Sequence, residues 1–216
     1  MKVLLTGSEG YIGSNLKKLI PESYKYDVKT SSELWLLGIE KLDLIYHLGA
    51  IAGIQVCEDY PDDAIKYNII STRKMCQLAE KHGAIIVFAS SEAAVNPLTF
   101  YGQTKRIGES LVKKVGGVVC RISNVYGGDN YLEKKDSVIA KLMKGTFEER
   151  GMDYEHRDFI HVEEVCHGLI EASTKPSGVY ALNTGIRTRI IDLKMMAMNP
   201  DFPEMLRQPY KLTKIE

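Results

Sequence analysis

Short apolar runs alternate with stretches of helical period along most of this chain. Runs of strand length, rich in Val, Ile and Leu, occur at Val3–Thr6, Tyr24–Asp27, Leu44–Leu48, Ile85–Ala89, Val118–Ile122 and Val179–Leu182. Several are apolar at consecutive positions, which suits strands covered on both faces. Between them, the spacing of apolar residues predicts helices over Tyr11–Leu19, Ala64–Lys81, Tyr101–Val115, Ser137–Lys144 and Val162–Ser173. Strand–helix alternation of this kind implies an α/β fold built on a doubly wound parallel sheet. Two segments break the rhythm. Tyr126–Asp136 is rich in Gly, Asp and Lys and reads as a surface loop, its Glu133-Lys134-Lys135-Asp136 run a solvated face. The tail from Asn199 carries Pro200, Pro203 and Pro209 and reads as irregular.

Length and composition narrow the class. The chain's 216 residues suit a single domain over 1–216, with little left for a second. Acidic and basic residues balance at 28 each, so the basic excess of a nucleic-acid binder is missing. No stretch approaches the roughly 18 apolar residues of a membrane span. The apolar run after Met1-Lys2 is too short for a signal-peptide core, and a cytoplasmic location is expected. Cys57, Cys76, Cys120 and Cys166 are far apart with no C-x-x-C pair, so buried free thiols are expected. His47 and His161 have no companion at metal-ligand spacing, so no metal site is expected.

The candidate chemistry begins at Gly7, Gly10 and Gly13, which follow the first strand and open the first helix. The first glycine permits the tight turn, the second a close approach of backbone to a pyrophosphate, the third close helix–strand packing. The helix start at Tyr11 and Ile12 then offers N–H groups and a positive dipole end to phosphates. Asp27 stands 20 residues after Gly7, where a carboxylate can bond an adenosine ribose. That favours NAD over NADP, whose 2′-phosphate it would repel; Lys29 could pair with such a phosphate and leaves NADP open.

A dehydrogenase needs a base for a hydroxyl proton, and a tyrosine can serve if a nearby ammonium favours its phenolate. Three Y-x-x-x-K spacings occur: Tyr101–Lys105, Tyr131–Lys135 and Tyr210–Lys214. Tyr131 falls in the polar loop and Tyr210 in the proline-bearing tail, so both pairs read as surface. Tyr101 opens a helix shortly after a strand ending in Ser90-Ser91, at the strand end where ligands of open parallel sheets gather.

The G-x-x-G-x-x-G spacing, with Thr6 before it and Ser14 after, resembles the extended branch of the short-chain dehydrogenase/reductase superfamily, home of the nucleotide-sugar epimerases and dehydratases. Further segments resemble that family in order: His47-Leu48-Gly49-Ala50, Asn68 in Tyr67–Thr72, Tyr101-Gly102-Gln103-Thr104-Lys105 with Glu109, Arg121–Gly127, Arg157-Asp158-Phe159-Ile160-His161-Val162 and Asn183-Thr184-Gly185. The resemblance implies a Rossmann-type fold, NAD as cofactor, and a catalytic set of Ser91, Tyr101 and Lys105, with Ser90 as the fallback for the hydroxyl. It implies that Leu48, Gly49, Ala50, Asn68, Ala89 and Ile122 border the cofactor, along with Tyr101 and Lys105. It places Asn124 and Arg157 on a nucleotide-sugar substrate beside Ser91 and Tyr101, the arginine at its diphosphate.

The chain departs from the family in three places. The substrate-binding portion is reduced, to segments at about 127–156 and 184–216. Little room remains between Asp27 and Leu44, so the sheet is expected to be a strand short. Ala93 stands where dehydratases of the family carry a second acid, which argues against dehydration and leaves Glu92 as a solvated turn residue or a lone acid. The expected activity is epimerisation of a nucleotide-activated sugar. The alternatives are a ketoreductase using the same residues in one direction, and a non-catalytic dinucleotide sensor or scaffold. The resemblance also implies a homodimer paired through helices beside the site, one of them Tyr101–Val115.

Overall fold

The computed structural model describes residues 1–20, 24–26, 39, 41–129, 132, 137–148, 155–199 and 201–216. Asp27, Lys29 and the Tyr131–Lys135 pair lie outside these residues. The described strands are β1 (Val3–Thr6), β2 (Tyr24–Tyr26), β3 (Leu44–His47), β4 (Ile85–Ser91), β5 (Val118–Ile122), β6 (Asn124–Tyr126), β7 (His156–His161), β8 (Gly178–Asn183), β9 (Arg187–Arg189) and β10 (Lys211–Lys214). The helices are α1 (Tyr11–Leu19), α2 (Ile54–Asp59), α3 (Pro61–Ala64), α4 (Ser71–His82), α5 (Phe100–Lys114), α6 (Val138–Met143), α7 (Val162–Ala172) and α8 (Ile190–Met196).

Seven strands form one sheet in the order β10-β8-β5-β4-β3-β1-β2, parallel except for β10, which runs against β8. The sheet is wound on both faces, and alternation along each strand decides which face a residue serves. Val87 and Ala89 of β4 pack in the cluster that holds Leu16 of α1 with Val165, Cys166 and Leu169 of α7. Ile86 and Phe88 point the other way, to Met75, Leu78 and Ala79 of α4 and Val112 of α5. A second sheet, β6-β7-β9, pairs β6 with β7 in parallel and β7 with β9 antiparallel. It has its own core of Tyr126, Phe159, Val138, Ile139, Ile190 and Leu193, to which α6 and α8 contribute.

Several expectations need correction. The helix expected over Ala64–Lys81 is broken into α3, a wide π turn at Ile65–Ile70 and α4, and α2 precedes it. Pro61 starts a helix where its missing N–H costs nothing. The tail is not all irregular: β10 adds an antiparallel edge strand, and the Tyr210 hydroxyl donates to Glu171 at 2.7 Å. Tyr126, expected in a loop, ends β6 and is buried. The four cysteines are free and buried, as expected. Among the described residues no group of histidines, cysteines and carboxylates could hold a metal, and no helix is long and apolar enough to cross a membrane.

Candidate active site

From β1 the chain goes through α1 to β2 on one side, and later enters β3 on the other side of β1. The carboxyl end of β1 is thus a topological switch point, where an open parallel sheet leaves a crevice. The glycine loop occupies it. Gly7 has φ +71°, and a Cβ there would lie 2.8 Å from Gly49 Cα at the end of β3. A Cβ on Gly13 would stand 2.0 Å from the Gly7 carbonyl oxygen. No side chain caps α1 at Gly10, and its first turn carries no acid. The loop's own carboxylate, Glu9, turns outward to Lys17 at 2.9 Å. A tight backbone cradle facing an uncapped helix start fits the diphosphate of a dinucleotide. Tyr11 reaches across from α1, its hydroxyl donating to the Gly127 carbonyl at 2.7 Å, while Ile12 packs partly buried on the adjoining core.

A run of hydrogen bonds leads from this loop toward α5. The Gly49 N–H donates to Thr6 Oγ1 at 3.1 Å, and Thr6 Oγ1 lies 2.7 Å from His47 Nδ1. His47 Nε2 is 2.9 Å from Thr72 Oγ1, which donates to the Asn68 carbonyl at 2.7 Å. Full burial, aided by the charge of Lys105, pushes the His47 imidazole down to about 3. Asn68, in the π turn, accepts from the Ile51 N–H at 2.7 Å and donates to the Ile51 carbonyl and to Thr104 Oγ1 at 3.1 and 3.0 Å. Only 2% exposed, Asn68 meets the crevice through the Ile51 backbone, beside part-buried Leu48 and Ala50.

The three residues expected to be catalytic come together at the carboxyl end of β4. Tyr101 and Lys105 share a face of α5, whose start is capped by Thr99, its hydroxyl accepting from the Gly102 N–H at 3.1 Å. The Tyr101 phenol lies beside the Ser91 hydroxyl, which favours its ionised form, and Ser91 accepts from the Ala93 N–H at 3.2 Å. Lys105 is 4% exposed and donates to the Ala89 carbonyl at 2.8 Å, its ammonium 5.9 Å from the Tyr101 ring centre. Ser90 points to the opposite face and donates to Glu109 at 2.6 Å, so the strand's alternation separates the two serines.

The pKa values oppose the simple expectation for this pair. Burial pushes Tyr101 up to about 12, and the neighbouring Ser91 hydroxyl only partly offsets it. Burial likewise pulls Lys105 down to about 8, against the support of Cys57 and Glu109. In the chain by itself, desolvation dominates the phenol, and the Ser91 hydroxyl is the group that opposes it.

Asn124 and Arg157 lie on the small sheet. Asn124 Nδ2 donates to the Asp158 carbonyl at 3.0 Å. Arg157 pairs with Glu155 at 2.8 Å and stands opposite Thr188 across β7 and β9. A groove of about 180 Å³ runs over this lobe, lined by Phe159, Thr184, Thr188, Met196 and Leu206 among others. Asp158 is buried beneath it and accepts from Ser123 Oγ, the Thr184 N–H and Thr184 Oγ1, each at 3.0 Å. Glu92 is exposed in the turn after β4, where a solvated turn residue was expected. Partial desolvation and the nearby Asp158 raise its pKa, with Arg187 and Arg157 pulling the other way. Ile122, expected beside the cofactor, is buried in β5, and Ala89 is buried with its carbonyl bound to Lys105.

Sequence reasoning missed Asp158 as the pin between the sheets and Thr104 as the link from Asn68 to α5. Both sat inside segments read for their neighbours, Arg157 and Lys105.

Sheet order, switch-point loop and the Ser–Tyr–Lys meeting define a Rossmann-type α/β domain of the dinucleotide-binding kind. The chain belongs to the NAD dependent epimerase/dehydratase family, whose model matches residues 24–184. It is 30% identical over 158 residues to EpsC, a probable polysaccharide biosynthesis protein of Bacillus subtilis, matching 69% of this chain and spanning 26% of that protein's length. To YtcB, described as an uncharacterized UDP-glucose epimerase of the same bacterium, it is 25% identical, covering 93% of this chain and 82% of the relative. That alignment runs over 263 positions, more than the chain's 216 residues, so gaps fall inside the match. The fold is shared with a UDP-glucose 4-epimerase of Thermotoga maritima solved with UDP-glucose, at TM-score 0.81 and 19% identity over 99% of this chain and 90% of that one.

Proposed function

We propose that the chain is an NAD-dependent epimerase of a nucleotide-activated sugar, acting through transient oxidation of a sugar hydroxyl to a ketone. The observation that carries this reading is the meeting of Ser91, Tyr101 and Lys105 at the end of β4, linked through Asn68 and Thr104 to the loop bordering the switch point. Gly7, Gly10, Tyr11, Ile12 and Gly13 hold the diphosphate of NAD, and Leu48, Gly49, Ala50, Ala89 and Ile122 border the path from there to Lys105. NAD, when bound, supplies an acceptor that takes a hydride from the sugar carbon and returns it.

The chain's own residues handle the proton and the oxygen. Ser91 donates a hydrogen bond to the sugar oxygen while the Tyr101 phenolate takes its proton and later gives it back. Tyr101 must first fall from about 12, and Lys105 is the cation within reach to favour its ionised form. The enclosure that raises the phenol also strengthens its response to any added positive charge.

Arg157 binds the substrate diphosphate through its planar fork, exchanging Glu155 for the ligand, and Asn124 faces the sugar. The groove beside Phe159 and Thr188 takes the nucleoside. Segments 127–156 and 184–216 make up a reduced substrate portion. Ala93 supports epimerisation over loss of water, because it can neither remove nor supply a proton. The chain acts as a homodimer through α5 and the preceding π turn, where Ile65, Ile70 and Ile107 are exposed.

The test is incubation of the purified chain with NAD and a panel of nucleotide-sugars, starting with UDP-glucose, followed by chromatography of the sugar. Inversion with an unchanged cofactor spectrum is the expected result. Net consumption of reduced cofactor would instead identify a ketoreductase. Cofactor binding without turnover of any sugar would identify a sensor.

A further inference from the structure

We propose that Glu109 is a positioning residue of the reactive set, clamping the strand end that carries Ser91 to the helix that carries Tyr101 and Lys105. The proposal rests on the reading of those three residues given above. Tyr101, Lys105 and Glu109 follow at i, i+4 and i+8, so they form one polar stripe along α5. The stripe meets the end of β4 at three consecutive residues. Tyr101 lies beside Ser91, Lys105 donates to the Ala89 carbonyl at 2.8 Å, and Glu109 accepts from Ser90 at 2.6 Å.

The third contact is the most enclosed. Glu109 is 2% exposed, and Ser90 and Arg121, its partners on adjoining strands, are each 5% exposed. Those two residues are register partners across β4 and β5, so the Glu109 carboxylate straddles the pair. Arg121 holds it with a fork at 2.9 and 2.8 Å, and Arg106 adds a bond at 3.2 Å. Glu216 accepts from Arg121 and Lys113, both at 2.9 Å, and braces the cluster from outside. A forked guanidinium fixes direction as well as distance, so the carboxylate is a stiff anchor for the Ser90 hydroxyl. Because side chains alternate along a strand, a twist that releases Ser90 also swings Ser91 away from Tyr101.

The same carboxylate acts on Lys105 through space. The groups facing the ammonium are the Ala89 carbonyl, the Tyr101 phenol, the Cys57 thiol of α2, the His47 imidazole of β3 and Glu109 itself. Of these, Glu109 is the carboxylate, and it favours the charged lysine against the penalty of burial.

The experiment uses the full chain with Glu109→Gln, Ser90→Ala and, as reference, Tyr101→Phe. Both positioning variants are expected to lose about tenfold or more in kcat with KM unchanged, because the reacting groups are misplaced and substrate contacts are not. A second readout needs no turnover. Lysine side-chain NMR of the cofactor-free chain should show Lys105 losing its proton near pH 8 in the parent and in Ser90→Ala, and at lower pH in Glu109→Gln. Unchanged kcat in both variants, or a loss that falls on KM, overturns the proposal while an inactive Tyr101→Phe keeps the functional reading standing. Full activity of Tyr101→Phe overturns both. If Glu109→Gln fails to fold with Arg121 left unpaired, the kcat and KM of Ser90→Ala decide alone.

Discussion

The two sheets solve the same packing problem in different ways. The seven-stranded sheet is covered on both faces, with apolar residues at consecutive positions and its chemistry gathered where the strands end. The three-stranded sheet has one small core, two strands of three residues each, and carries the candidate substrate residues Asn124 and Arg157, both partly exposed. In the first, polar groups are fixed by many buried partners, as with Lys105, Asn68 and Glu109. In the second, Arg157 is held by an exposed carboxylate that a ligand could replace. A rigid half suits a cofactor that stays in place, and a half with exchangeable contacts suits a substrate that comes and goes.

The comparison can be broken most sharply at Tyr101. Tyr101→Phe should lower turnover by about 10²–10⁴-fold, because it removes the base. The chain should keep its fold and cofactor affinity, as judged by circular dichroism and by titration with NAD. Next comes the pin between the sheets. Asp158→Ala strips partners from Ser123 and from two donors of Thr184, and should cost about 3 kcal/mol in denaturant unfolding. If the halves are as distinct as described, hydrogen exchange should rise first in β6, β7 and β9 and spare β3, β4 and β5.

Smaller effects sharpen the contrast. Arg157→Ala should raise KM for the nucleotide-sugar by about tenfold with kcat little changed, since it removes binding common to ground and transition states. A larger loss in kcat than in KM would move Arg157 into the rigid half. The weakest effect concerns acid. Glu216 is held down to about 2 by hydrogen bonds from Lys113 and Arg121, so its folded pKa lies below its ordinary value. Its stabilising contribution is therefore complete above about pH 4.5 and is lost as pH falls toward 2. Glu216→Gln should flatten the acid limb of a stability–pH curve and leave the neutral plateau slightly lower.

The large sheet was legible in the sequence and the small one was not, for a physical reason. Val3–Thr6, Val118–Ile122 and Tyr11–Leu19 were read with their observed bounds, because buried strands and amphipathic helices leave a periodic signature. Asn124–Tyr126 and Arg187–Arg189 are too short to show any period, and their pairing depends on β7, which is distant in sequence. β10 was hidden by the prolines before it, although an edge strand tolerates such a start. For the candidate site, spacing found Tyr101 and Lys105 and alternation along β4 separates Ser91 from Ser90. It could not reveal that burial raises the phenol, since desolvation depends on everything packed around it. The missing strand expected after Asp27 falls among residues outside those described. Among the described residues β2 is the sheet's edge.

The hydrogen bonds around His47 have a direction that follows from counting protons. Thr72 gives its only hydroxyl proton to Asn68, so it can only receive from the imidazole, and Nε2 must be the protonated nitrogen. Nδ1 is then bare and takes the Thr6 proton, while Thr6 in turn receives from the Gly49 amide. Every link has one hydrogen, so the file could reverse only if Thr72 gave up the Asn68 carbonyl and the Thr6 proton were left without this acceptor. Such a one-way file should be visible as a single imidazole N–H signal that exchanges slowly with solvent, in a ring that stays neutral well below the ordinary imidazole range.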